Sequence, residues 1–218
     1  MRHQTQIARW VSEACRRPCR GTVLAVLAFG LATAATAGGP ATESIKKSID
    51  AVIKILEDAE LKKPGRLADR RQLLEKTIGE RFNYEEMSKR TLPGQWNKLS
   101  DDERKEFVSL FQRLLSHSYA GRIEGYSGEQ VQYLNERRDG DFAEVRTKVT
   151  SGKAEIPLDY RLTNKGGDWR VYDVVVDGVS LVNNYRGQFT KILKESSYAD
   201  LVRQLREKAE KKPEPPPS

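Results

Sequence analysis

The sequence predicts an α+β protein, a curved antiparallel four-stranded sheet covered by N-terminal and C-terminal helices. Three observations predict it. Apolar residues recur at helical spacing up to Gly125, alternate with a period of two between Val131 and Asp177, and return to helical spacing from Ser180. Short turn sequences join the alternating runs, so the strands form a meander in which chain neighbours pair. Runs of helices before and after such a sheet pack against one face of it.

Residues 1–37 stand apart. Arg2, Arg9, Arg16, Arg17 and Arg20 precede the apolar run Thr22–Leu31, and small residues follow, ending at Ala35-Thr36-Ala37. A basic segment, a short apolar run and an A-x-A site describe a secretory signal peptide cleaved after Ala37. A bilayer span needs about 20 apolar residues, and this run is shorter. Pro18 and Cys19 follow Arg16-Arg17 where twin-arginine export calls for apolar residues, so the general secretory route is expected. Removing residues 1–37 leaves 181 residues with 33 basic and 30 acidic side chains, about +3 where the full chain carries +7. Much of the basic excess belongs to the leader, and nucleic acid is not expected as a partner. Cys15 and Cys19 leave with it, so the stability of residues 38–210 must come from packing.

A first helix runs from Ala41 to about Asp58, with Ile45, Ile49, Val52, Ile53 and Leu56 on one side. Pro64-Gly65 ends that segment, and a second helix follows from Arg66 to Gly79. A short helix at Tyr84–Arg90 stops at Pro93-Gly94. Ser100 and Glu103 have capping-box spacing, and Asp101 and Asp102 suit the positive end of the helix dipole. Phe107, Leu110, Phe111, Leu114, Leu115, Tyr119 and Ile123 line one face of the helix that starts there.

Val131 and Tyr133 mark the first strand, and Asp139-Gly140 is a hairpin signal. Ala143, Val145, Thr147 and Val149 alternate with charged residues in the second strand. Ile156, Leu158, Tyr160 and Leu162 do so in the third. In the fourth, Trp169–Asp177, the alternation with Asp173 and Asp177 assigns Tyr172, Val174 and Val176 to the inner face. Trp169, Val171 and Val175 then point outward. Leu181, Tyr185, Phe189 and Ile192 share a helical stripe, a last helix runs to about Lys208, and the proline-rich residues 211–218 are expected to be a disordered tail.

Catalytic constellations are sparse. His117 is the single histidine left after residues 1–37, and no cysteine accompanies it, so zinc sites and Cys–His nucleophiles are not expected. Asp159, Asp173 and Asp177 alternate with apolar residues beside Arg161 and Arg170, which reads as cross-strand ion pairing on a solvated face. No cofactor, metal site or enzymatic step is indicated. What remains is a set of bulky apolar groups aimed at one concave space. Periodicity alone does not separate a filled core from a pocket there.

The segment Trp169–Phe189 (WRVYDVVVDGVSLVNNYRGQF) supplies more. It resembles the W-x-V-Y-D-x-x-x-x-G-V-S signature of the MlaC-type periplasmic phospholipid-binding proteins, the toluene-tolerance family. Phe82-Asn83-Tyr84-Glu85-Glu86-Met87 agrees with the same family, as does Trp96 followed by Arg104, Phe107, Phe111, Leu114, Leu115 and Tyr119-Ala120. The resemblance departs at Pro93, where relatives carry a helix-compatible residue. It implies a phospholipid-binding domain over residues 38–210 on a sheet like the cone of nuclear transport factors. It also implies a periplasmic carrier that shuttles glycerophospholipid between an outer-membrane lipoprotein–porin complex and an inner-membrane ABC transporter with MCE-domain subunits, maintaining outer-membrane lipid asymmetry. The lipid tails would meet Val145, Val149, Ile156, Leu158, Tyr160, Tyr172, Val174 and Val176 on the strands. Phe111, Leu115, Tyr119, Val179, Leu181, Tyr185 and Phe189 would form the helical wall, and Arg186 would meet the headgroup. A ligand-free interaction or chaperone module, or an enzyme on the same scaffold, would instead fill that space or line it with polar groups.

Overall fold

A computed structural model describes residues 38–152 and 154–210. The signal peptide and the tail expected from the sequence lie outside them. Helix α1 (Pro40–Glu57) is followed by a single 3₁₀ turn at Pro64–Arg66, then α2 (Leu67–Arg81) and α3 (Tyr84–Thr91). A second 3₁₀ turn at Trp96–Lys98 leads into the long α4 (Asp101–Glu124). Strands β1 (Gln130–Asp139), β2 (Phe142–Ser151), β3 (Ala154–Lys165), β4 (Asp168–Val176) and β5 (Val179–Ser180) come next, and α5 (Leu181–Glu195) and α6 (Tyr198–Glu210) close the described chain. The capping box is formed as expected: Glu103 N–H donates to Ser100 Oγ, and Ser100 N–H to Glu103 Oε2 at 2.8 Å.

The sheet is antiparallel in the order β1-β2-β3-β4-β5, so it has five strands where the sequence predicts four. The added strand is two residues long, too short for any alternation to register. Asp177 (φ 49°) and Gly178 (φ 80°) turn the chain between β4 and β5. Positive φ at both turn residues matches the twist of the flanking strands, and Asp tolerates this region better than most residues.

A second correction concerns β4. Val171 pairs with Leu162 and Asp173 with Arg161, so Tyr172 is an extra, bulged residue. Before the bulge Val171 shares the inner face with Leu162. After it, Val174 and Val176 share that face with Tyr160 and Leu158. Val171 and Trp169 are therefore inner core residues. Tyr172 lies instead against Phe142 (ring centroids 6.1 Å apart), under the Arg90 guanidinium at 4.2 Å from its ring centroid. A bulge inserts one residue and swaps the phase of everything after it.

Asp173 is corrected as well. It is 3% exposed rather than solvated. Its Oδ2 accepts from Ser180 Oγ at 2.6 Å and from Arg161 Nη1 at 3.0 Å, and its Oδ1 accepts from Val182 N–H at 3.0 Å. Ser180 Oγ in turn accepts from Asn183 N–H, so the Asp173–Ser180 pair caps α5 and fixes its start to β4.

Helix α1 is held differently. Its N-cap, Gly39, has no side chain to offer, and the cap comes from β1 across 94 residues of sequence. A register shift between Tyr133 and Asn135 turns Glu136 to the inner face opposite Val145. There its Oε2 accepts from both Thr42 N–H and Thr42 Oγ1, each at 2.7 Å. The carboxylate also meets the positive end of the α1 dipole. Arg81 clasps the other side, donating to Ser48 Oγ, Asp168 Oδ1 and the Trp169 carbonyl. A Cβ added at Gly39 would overlap the Glu136 carboxylate. Gly39→Ala is therefore expected to displace this cap and cost about 1 kcal/mol, although its φ of −77° suits alanine. Thermal unfolding of Gly39→Ala, Glu136→Ala and the double variant checks it: the Gly39→Ala change should cost little once the Glu136 side chain is already removed.

Two cores result. Ala41 and Ile45 of α1 pack with Ala143, Val145, Leu162, Trp169 and Val171 on the inner sheet face. The other core joins α3, α4, α5 and α6 around Met87, Phe107, Phe111, Tyr185, Phe189 and Leu201.

Candidate functional site

Antiparallel register sorts the inner face into cross-strand rows. Ala143, Leu162 and Val171 form one row, and all are buried beneath α1. Val145, Tyr160 and Val174 form the next, with Val145 buried and the other two partly exposed. A third row runs Tyr133, Thr147, Leu158, Val176 and Val179 across all five strands. Of these only Thr147 is fully buried, its hydroxyl donating to the Leu158 carbonyl. Val131, Val149 and Ile156 make the last row, partly exposed throughout. The inner face is thus closed at one end and increasingly uncovered toward the other, while its side chains stay almost wholly apolar.

Helices surround the uncovered end. Tyr126 Oη reaches Glu57 Oε1 at 3.5 Å, and Arg71 clamps Glu124 through two bonds of 2.7 and 2.8 Å. The C-terminal ends of α1 and α4 and the start of α2 therefore converge beside the beginning of β1. Ile49, Val52 and Ile53 of α1 are only partly covered, as are Tyr119 and Ile123 of α4. Burial pushes the Tyr119 phenol up to about 12 and the Tyr133 phenol, with help from Asp50 and Glu43, also up to about 12. Burial raises Tyr160 further still.

The candidate residues from the sequence separate into groups. Val145, Val149, Ile156, Leu158, Tyr160, Val174, Val176 and Val179 share the inner face. Phe111, Leu115, Tyr185 and Phe189 sit in the all-helical core, where Phe111 meets Tyr185 edge-on at 5.2 Å and Phe189 at 5.7 Å. Tyr119 and Leu181 pack at the margin of that core, partly exposed. Arg186 is exposed on the second turn of α5, and Tyr172 stands off the inner rows. Sequence reasoning passed over Val131, Tyr133, Ile49 and Val52 as candidates. Their signal was present, since the first two alternate in β1 and the last two lie on the apolar side of α1. Among the described residues, no three His, Cys, Asp or Glu side chains are grouped to hold a metal ion, and no helix is long and apolar enough to cross a membrane.

The sequence profile of the MlaC protein family matches residues 46–207. The chain belongs to the MlaC family. One MlaC relative, the intermembrane phospholipid transport system binding protein MlaC of Haemophilus influenzae, is 26% identical over 58% of this chain. Another, the toluene tolerance protein ttg2D of Pseudomonas putida, is 30% identical over 42% of it. The matched stretches span 62% and 44% of those relatives' own lengths. A phospholipid-binding protein from Ralstonia solanacearum, solved in complex with a phospholipid, superposes with a TM-score of 0.70 at 26% identity. That superposition covers 78% of this chain and 96% of the other. The MlaC fold thus accounts for the α+β arrangement of helices on a curved antiparallel sheet.

Proposed function

We propose that this MlaC-family protein is a periplasmic carrier that holds the tails of a glycerophospholipid against the uncovered rows of its inner face. It would shuttle the lipid between an outer-membrane lipoprotein–porin complex and an inner-membrane ABC transporter with MCE-domain subunits, and so maintain outer-membrane lipid asymmetry. The working domain is residues 38–210, after removal of the leader, and no catalytic step is involved.

The grading of burial along the inner face carries this reading. A filled core would cover all four rows alike, whereas here apolar side chains become progressively uncovered toward one end. Two C16 tails hold about 30 methylenes, and exposing them to water costs on the order of 20 kcal/mol at about 0.8 kcal/mol each. Apolar walls suffice to offset that cost. Leu158, Val176, Val179, Val149 and Ile156 are the proposed strand contacts, Tyr119 and Leu181 the helical ones. The aromatic cluster of Phe111, Tyr185 and Phe189 would back the wall, and Arg186 would meet the headgroup.

Organic extraction of the purified protein followed by mass spectrometry tests the proposal. About one diacyl phospholipid per chain is expected. Protein purified gently from phospholipid-replete cells and found free of lipid would overturn it.

A further inference from the structure

The corner between α1 and α2 is tied by its own hydrogen bonds and, Leu61 apart, faces outward. Asp58 Oδ1 accepts from the N–H groups of Glu60 and Leu61 at 2.8 and 3.0 Å. Lys62 N–H donates to the Asp58 carbonyl, and Arg66 N–H to the Lys63 carbonyl at 2.8 Å within the 3₁₀ turn. Leu61 is buried and pins the loop, while every residue from Lys62 to Asp69 is exposed. Residues 58–73 carry five cations, Lys62, Lys63, Arg66, Arg70 and Arg71, against three acids, Asp58, Glu60 and Asp69. Two of the four large apolar side chains most exposed among the described residues lie here, Leu67 at 52% and Leu73 at 41%.

A single exposed leucine is ordinary. Two of them set among cations on an outward-facing corner have the composition of an interfacial segment, in which cations meet anionic headgroups and apolar side chains enter the acyl boundary. The pairs Lys63–Glu60 and Arg66–Asp69 do not oppose this. All four side chains are more than half exposed, and such pairs exchange readily for other counter-ions. The location is also apt, because Arg71 ties α2 to the end of α4 beside the uncovered end of the inner face.

We propose that Lys62–Leu73 is a membrane-docking corner. Lys62, Lys63 and Arg66 engage anionic phospholipid headgroups, and Leu67 and Leu73 enter the interface. Docking would hold the uncovered end of the inner face to the bilayer. The purpose of such docking rests on the carrier reading above, but the docking itself does not.

Vesicle flotation with the purified protein tests it, comparing phosphatidylcholine alone with phosphatidylcholine mixed with phosphatidylglycerol. The wild-type protein should float with the anionic vesicles, release them at high salt, and bind the neutral ones weakly. Lys62→Glu/Lys63→Glu should weaken partitioning by tenfold or more, since each cation near an anionic surface contributes roughly fivefold. Leu67→Ser/Leu73→Ser should weaken it several-fold. Arg137→Glu/Lys191→Glu, an equal charge change elsewhere on the exposed surface, should bind as the wild type does. Equal binding to both vesicle types, or an equal loss in the Arg137/Lys191 control, would overturn the proposal. So would a corner variant that floats normally but no longer exchanges lipid with a membrane-protein complex, which would make the corner a protein-docking surface. Mass spectrometry of the same samples keeps the two readings separate. Corner variants should retain their lipid, whereas a lipid-free protein that still floats with anionic vesicles would remove the carrier reading alone.

Discussion

Replacing Val179 with glutamate is expected to empty the protein of lipid while leaving it folded. Val179 ends the third inner row, paired with Val176 at the edge of the sheet and partly exposed. A carboxylate there must either ionise against an apolar wall, at several kcal/mol, or hold its proton through a raised pKa. In either form it competes with methylenes for the same surface. The partial exposure of Val179 lets the new group tilt toward water in the empty protein, so folding and secretion should survive. Circular dichroism and extracted-lipid mass spectrometry on one preparation read both results. A folded Val179→Glu protein with its full complement of phospholipid would sink the assignment. One that fails to fold would place Val179 in the structural core. Asp159→Asn, on the opposite face of β3, is the control and should keep its lipid.

The largest loss of stability is expected from Asp173→Ala. That carboxylate serves Ser180 Oγ, Val182 N–H and Arg161 at once, in a site 3% exposed. Removing it leaves a buried amide and hydroxyl without their acceptor and strands one end of the Arg161 guanidinium. The cost should be about 3 kcal/mol, discounted from a fully buried ion pair because Arg161 is 37% exposed. Urea unfolding measures it, and a loss below about 0.5 kcal/mol, the range of an ordinary surface substitution, would show that α5 is anchored by other contacts. Asp159→Asn gives the contrast. Its carboxyl is pushed above the usual range by burial and by Glu144, so removing the charge should cost little.

These two residues show what the sequence made legible and what it did not. Both lie in the segment that carries the family resemblance, yet alternation reads Asp173 as a solvated strand residue. The alternation places it on the right face, opposite Val174 and Val176, and it is buried there because the start of α5 packs over that face through Ser180 and Val182. The bulge at Tyr172 misleads the reading of the residues before it. A period-two pattern carries one phase along a strand, and an inserted residue reverses it, so Trp169 and Val171 share a face with Val174 and Val176 although their parity differs. The β1 irregularity hides Glu136 in the same way, and its partner Thr42 lies 94 residues away, beyond any local pattern. Interactions confined to a few residues were readable, as with the Ser100 capping box and the Asp139-Gly140 turn. Most of the inner-face candidates were readable too, because β2 and β3 pair without interruption. The helical candidates were not resolved, since an amphipathic stripe such as Phe107–Ile123 looks the same whether it meets a ligand or other helices.

The strand order has a kinetic consequence. Each strand pairs with the next along the chain, so the sheet can assemble by successive local hairpins that each close only a short loop. Helix α1 has no such route. Its cap on Glu136 and its clasp through Arg81 and Trp169 each need a distant part of the sheet already in place. Contacts of that separation are made late, after the sheet has supplied a surface to meet. The inner face is therefore expected to be complete before the helix that closes one end of it docks.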